Sequence, residues 1–175
     1  MRKEPLADAA AYQRLGVRLT EILAGPVSLV QFTYPRNLLI EFGELAATSW
    51  NQLVGDTTLS TICRWEVTRG TESSWFDAHT GDDEVALAWL QPIVGRRVDA
   101  LRVEAPMLDL YLQFGDVELC ILGGDEEVDE VDDDLDSGWY AAIRHRERIA
   151  IDVGPDQAFR TFEPSDTDWD LYELD

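Results

Sequence analysis

Leu108, Leu110, Leu112 and Phe114 alternate with Asp109, Tyr111 and Gln113. An apolar side chain at every second position lines one face of an extended chain, so the pattern predicts a half-buried strand. Gly115-Asp116 supplies a tight-turn signature, and Val117 to Leu122 returns as the next strand. Strand follows strand with no helix between, which favours antiparallel pairing over a parallel sheet.

The same order of features occurs earlier in the chain. Glu21-Ile-Leu-Ala-Gly25 and Gln91-Pro-Ile-Val-Gly95 each open a β-patterned stretch, Val27 to Tyr34 or Val98 to Ala105. A proline follows each, Pro35 or Pro106, and then a strand ending in Phe42-Gly43 or Phe114-Gly115. Trp65 and Trp139 come next, then Arg69 and Arg144, then short strands over Ser73–Asp77 and Arg148–Val153. An ordered series at matched spacing reads as an internal duplication. Glu44 to Arg64 and the segment before Trp139 then occupy corresponding long loops.

A helix precedes each unit. Leu6, Leu15, Leu19, Ile22 and Leu23 sit at helical spacing, with Pro5 in the first turn. Asp82 or Asp83 caps the second helix, Val85, Leu87, Ala88 and Leu90 give it an apolar face, and Pro92 stops it. The expected fold class is α+β, mostly antiparallel sheet with helices on one face, in two similar helix–hairpin–loop–hairpin halves. The expected segments are 1–80 and 81–162, packed as one globular unit, and an acidic tail, 163–175.

Charge is distributed unevenly. The net charge is −21, yet nine of the twelve residues from Asp125 to Asp136 are carboxylates and none is basic. Glu163 to Asp175 adds six more acids and no base, which leaves the other 150 residues at only −6. Densely packed like charges stay solvated unless something positive neutralises them. Such a surface repels nucleic acid and anionic membrane and suits a basic protein or bound cations. At 45% hydrophobic residues the chain is globular, not a disordered acidic one. It has no long apolar run and no signal-peptide pattern, and Cys63 and Cys120 lie in strand-like stretches. A cytoplasmic protein with buried free thiols is expected.

Catalytic patterns are missing. Asp132, Asp134 and Asp136 match the first three ligand positions of a calcium loop, but Ser137 and Ile143 stand where glycine and a bidentate glutamate are needed. His79 and His145 have no partner at zinc-ligand spacing. There is no G-x-S-x-G elbow, and Gly123-Gly124 precedes acids that repel phosphate. Arg144, Arg146 and Arg148 are read as neutralising the neighbouring acids. No catalytic residue, metal site or cofactor is expected. Of the tryptophans, Trp65, Trp89 and Trp139 read as core, and Trp50 and Trp169 as exposed.

Ile93-Val-Gly95, Val98-x-x-Leu-x-Val103, Leu110-x-Leu-x-Phe114 and Trp139 together resemble the small α+β immunity proteins of bacterial polymorphic-toxin systems. The resemblance implies a cytoplasmic, non-enzymatic protein that binds a cognate toxin through a variable surface, so it carries over no individual site residue. The residues themselves suggest docking on a basic partner through Asp125, Glu126, Glu127, Asp129, Glu130, Asp132, Asp133, Asp134 and Asp136, helped by Asp168, Trp169 and Asp170. Two other readings stand beside this one. A DNA mimic would use the carboxylates as a phosphate array, and a metal-assisted enzyme would use them as ligands.

Overall fold

The computed structural model describes residues 2–5, 9–33, 37–48, 52–61, 63–77, 82–105, 108–123, 139–143, 147–152 and 158–162. For 2–5, 140, 142–143, 147–152 and 158–162 it gives the backbone path.

The first half of the chain runs β1 (Arg2–Pro5), α1 (Ala9–Ile22), β2 (Val27–Thr33), β3 (Asn37–Phe42), β4 (Ala46–Ala47), β5 (Leu53–Val54), β6 (Thr57–Thr61), β7 (Trp65–Arg69) and β8 (Glu72–Phe76). The second runs α2 (Asp83–Leu90), a 3-10 turn (Gln91–Ile93), β9 (Ala100–Glu104), β10 (Asp109–Phe114), β11 (Val117–Ile121), β12 (Trp139–Ile143), β13 (Glu147–Asp152) and β14 (Ala158–Phe162). The fold is α+β, and every strand pair among the described residues is antiparallel.

A seven-stranded sheet has the order β1-β14-β13-β12-β6-β3-β2, and a five-stranded sheet the order β8-β7-β11-β10-β9. Each sheet therefore joins a three-strand meander from one half of the chain to the tryptophan-led hairpin of the other. The registers correspond. Phe42 pairs with Thr57 as Phe114 pairs with Val117, and Trp139 pairs with Thr61 as Trp65 pairs with Ile121. The helices are exchanged as well, α1 lying against β9 and α2 against β2. Gly43 (φ 82°) and Gly115 (φ 65°) end the two Phe-Gly strands in the left-handed region, where a Cβ is disfavoured.

One buried cluster collects side chains from both sheets and both helices, including Leu15, Leu19, Phe42, Leu90, Phe114 and Trp139. Trp65 of the five-stranded sheet stacks on Phe76 at 4.4 Å and on Phe32 of the seven-stranded sheet at 6.3 Å. Trp139 Nε1 donates to the Leu108 carbonyl at 2.9 Å, and both residues are buried. Cys63 and Cys120 are buried free thiols, as expected.

Several local expectations change. Pro5 does not open a helix; it ends β1 opposite Ala158, and α1 starts at Ala9. β1 is the sheet's outermost strand, where a residue without an N–H is tolerated. In α2, Asp82 is the N-cap, accepting from the Glu84 N–H at 2.9 Å. Its buried residues are Ala86 and Leu90, one turn apart, while Val85 is half exposed and Ala88 exposed. An eight-residue helix buries only the narrow i, i+4 line that meets its neighbour. Trp89 is partly buried, packed at the rim of the core under Arg69.

The segment from Glu44 to Arg64 is not one loop: it contains β4, β5 and β6. β6 is Thr-Thr-Leu-Ser-Thr with Thr57, Leu59, Ser60 and Thr61 all buried, so no apolar alternation marks it. Leu53 and Gly55 of the 43–56 excursion meet the seven-stranded sheet on the face that carries Gln31 and Glu41. There Glu41 is buried, its Oε2 accepting from the Gly55 N–H at 2.8 Å and the Thr58 hydroxyl at 2.7 Å. By strand order this excursion corresponds to the Gly115-Asp116 turn. The acidic run corresponds instead to residues 62–64, which join β6 to β7.

Candidate functional site

Asp125, Glu126, Glu127, Asp129, Glu130, Asp132, Asp133, Asp134 and Asp136 lie outside the described residues, as do Asp168, Trp169 and Asp170. Trp50, His79 and His145 also lie outside them. The structure does fix both stems of the acidic connection. It leaves β11 after Ile121 and enters β12 at Trp139, crossing from the five-stranded to the seven-stranded sheet. At the first stem the Leu122 N–H donates to the Arg64 carbonyl at 3.0 Å, and the Gly123 N–H to Asp109 Oδ1 at 3.0 Å. At the second, the indole of Trp139 is held by its bond to Leu108. Leu108 has a positive φ of 64°, an uncommon conformation for leucine, and is enclosed by the core.

Between the same two strand positions in the other half, residues 62–64 make the equivalent crossing in three residues. The acidic connection uses seventeen, 122–138. Chain closure therefore does not require its length, and residues 62–64, Ile-Cys-Arg, make the crossing without an acid.

The first stem opens onto the outer face of the five-stranded sheet. Strand register aligns Trp75, Glu66, Cys120, Tyr111 and Arg102 in one row across all five strands. Arg102 lies 3.8 Å over the Tyr111 ring and is bracketed by Glu104 at 2.8 Å and Glu118 at 3.0 Å. All three charged groups of that cluster are part-exposed, so it contributes order more than stability. Burial pushes the Tyr111 hydroxyl up to about 12 and the Cys120 thiol up to about 11. Both hold their protons at neutral pH. Among the described residues no group of three or more His, Cys, Asp or Glu could hold a metal ion.

At the other end of the row Trp75 is 51% exposed, with the Arg64 guanidinium 5.9 Å over its ring. Sequence reasoning passed over Trp75. Its outward turn follows from a tertiary contact: Phe76 packs inward against Trp65, and period two then faces Trp75 the other way. Arg64 links the two features, its carbonyl holding the acidic stem and its side chain covering Trp75.

No family model, curated protein or solved structure matches this chain. No helix among the described residues is long and apolar enough to cross a membrane.

Proposed function

We propose that this is an acidic binding protein, without catalytic activity, that captures a basic protein partner in the cytoplasm. An immunity-type inhibitor of a toxin enzyme is the form that fits best. The observation that carries the reading is the seventeen-residue, nine-carboxylate connection standing where three residues make the equivalent crossing. A long charged insertion on a scaffold that does not need it is explained by contact. Dense carboxylates raise the association rate with a cationic surface, which suits rapid capture of a harmful enzyme. The localised charge favours a local protein contact over a DNA-like array. The exchanged, corresponding registers support reading the scaffold as a duplicated unit.

The experiment is a binding titration against the basic protein encoded beside this one, at low and high salt. Replacing the nine acids of Asp125–Asp136 by Asn and Gln should leave the circular dichroism spectrum unchanged and weaken binding at least tenfold. Unchanged affinity in that variant would sink the docking role of the run.

A further inference from the structure

The two large sheets share a five-strand arrangement, and among the described residues only one is extended beyond it. β13 and β8 are the corresponding outer strands: Glu147 pairs with Ile143 as Glu72 pairs with Arg69, and Ala150 pairs with Tyr140 as Trp75 pairs with Glu66. On the seven-stranded sheet β13 carries β14, and β14 carries β1. On the five-stranded sheet, among the described residues, no strand pairs with the outer edge of β8.

We infer that the outer edge of β8 is a strand-addition site, filled by an extended Lys/Arg-bearing segment of the basic partner. The inference rests on the proposed function and names the surface that completes it. The corresponding edge supplies the geometry and the chemistry of the occupant. β14 adds antiparallel to β13, and the residue it sets beside Ala150 is Arg160. A partner strand in the same relation to β8 places a residue beside Trp75, with Glu66 next along the row. A residue there meets the Glu66 carboxylate and the Trp75 indole, a ring that already takes the Arg64 guanidinium, so the position offers an acid and a cation-binding ring to arginine or lysine.

Other features single out this edge. α1 lies against β9 and α2 against β2, so a helix flanks the outer strand at the far end of each sheet. β8 has neither lysine nor proline, the usual devices that blunt an exposed edge, and it displays a large aromatic side chain. Its neighbour Arg64 also accepts, through its carbonyl, from the N–H of Leu122 at the stem of the acidic connection. Gly70 and Thr71 form a two-residue turn between Arg69 and Glu72. That turn makes Arg69 and Glu72 a hydrogen-bonded pair, so the N–H and C=O of Ser73 and Trp75 point away from β7.

The test uses the full chain and a synthetic probe, the β14 sequence Ala158–Phe162 flanked by two lysines on each side. A second probe carries N-methyl groups on alternate residues of its pairing edge. The expected result is binding of the unmethylated peptide alone, with slowed amide exchange at Ser73 and Trp75. Ser73→Pro, which keeps the β7 bonds, and Trp75→Ala, which alters only an outward side chain, should each weaken it at least tenfold. The variant with the nine acids neutralised should retain the slowed exchange at β8 while losing the salt-dependent part of the affinity. Equal affinity for the two probes, or an unchanged affinity in both point variants, overturns the edge site and leaves the acidic run as a purely electrostatic contact. A dimer of the chain alone that Ser73→Pro dissolves also overturns it, by assigning the edge to a second copy.

Discussion

Trp139 shows how much one side chain can fix. It is 1% exposed, leads β12 and uses its single N–H on the Leu108 carbonyl. The bond ties the seven-stranded sheet to the residue that opens β10, where a leucine is held at positive φ. Trp139→Phe should retain most of the packing but orphan a buried carbonyl, lowering unfolding free energy by about 1–3 kcal/mol. Urea denaturation followed by circular dichroism measures it. Cys120 offers a second residue-scale test. Burial raises its thiol from 9.0 to about 11, so the folded chain holds the proton more tightly than the unfolded one. Its contribution to stability is therefore complete below pH 9 and is lost as pH rises through about 11. Thermal melts across pH 8–11 should fall less steeply for Cys120→Ala than for the wild type, and the native thiol should resist alkylation at pH 8.

At the scale of elements, the two crossings between sheets carry the sharpest comparison. Residues 62–64 connect Thr61 to Trp65, and 122–138 connect Ile121 to Trp139, between strand ends in corresponding register. Replacing 122–138 by a three-residue connection should therefore preserve the fold. It also removes nine mutually repelling charges, so the melting temperature should stay the same or rise at low salt. Differential scanning calorimetry checks this, and a collapse of the folded state would show that the long connection is needed to cross. A similar balance holds α2, where Arg69 from β7 donates to the carbonyls of Ala88 and Trp89 and lies 4.7 Å over the Trp89 ring. A cation at the helix C-terminus opposes the negative end of its dipole.

For the whole molecule, the exchange of hairpins means that neither half completes either of the two large sheets alone. Residues before 80 supply β7 and β8 to the five-stranded sheet, and residues after 81 supply β12, β13 and β14 to the seven-stranded one. Both halves also contribute to one buried cluster. If the full chain is folded with a protease site placed between Asp77 and Asp82 and then cut, the fragments should co-elute at the size of the intact protein. Unfolding of the cut protein should become concentration-dependent, because release of one fragment now gains translational freedom. Two folded fragments separating on a sizing column would contradict the exchange.

The period-two pattern at Leu108–Phe114, the Gly115-Asp116 turn and the Asp82 cap were legible because each depends on residues adjacent in the chain. Local sterics and local hydrogen bonds decide such features, so the α+β class and the antiparallel hairpins followed from sequence. β6 was hidden, because its threonines and serine are buried by neighbours distant in sequence. The outward turn of Trp75 required knowing that Phe76 meets Trp65. The partner of each tryptophan strand lay further still from view. An amphipathic strand specifies that one face be covered and one edge be paired, but not by which segment. Only the assembled core, where both halves bury their apolar faces together, decided that each hairpin completes the other half's sheet, and so that residues 62–64 make the crossing that matches the acidic connection in strand order.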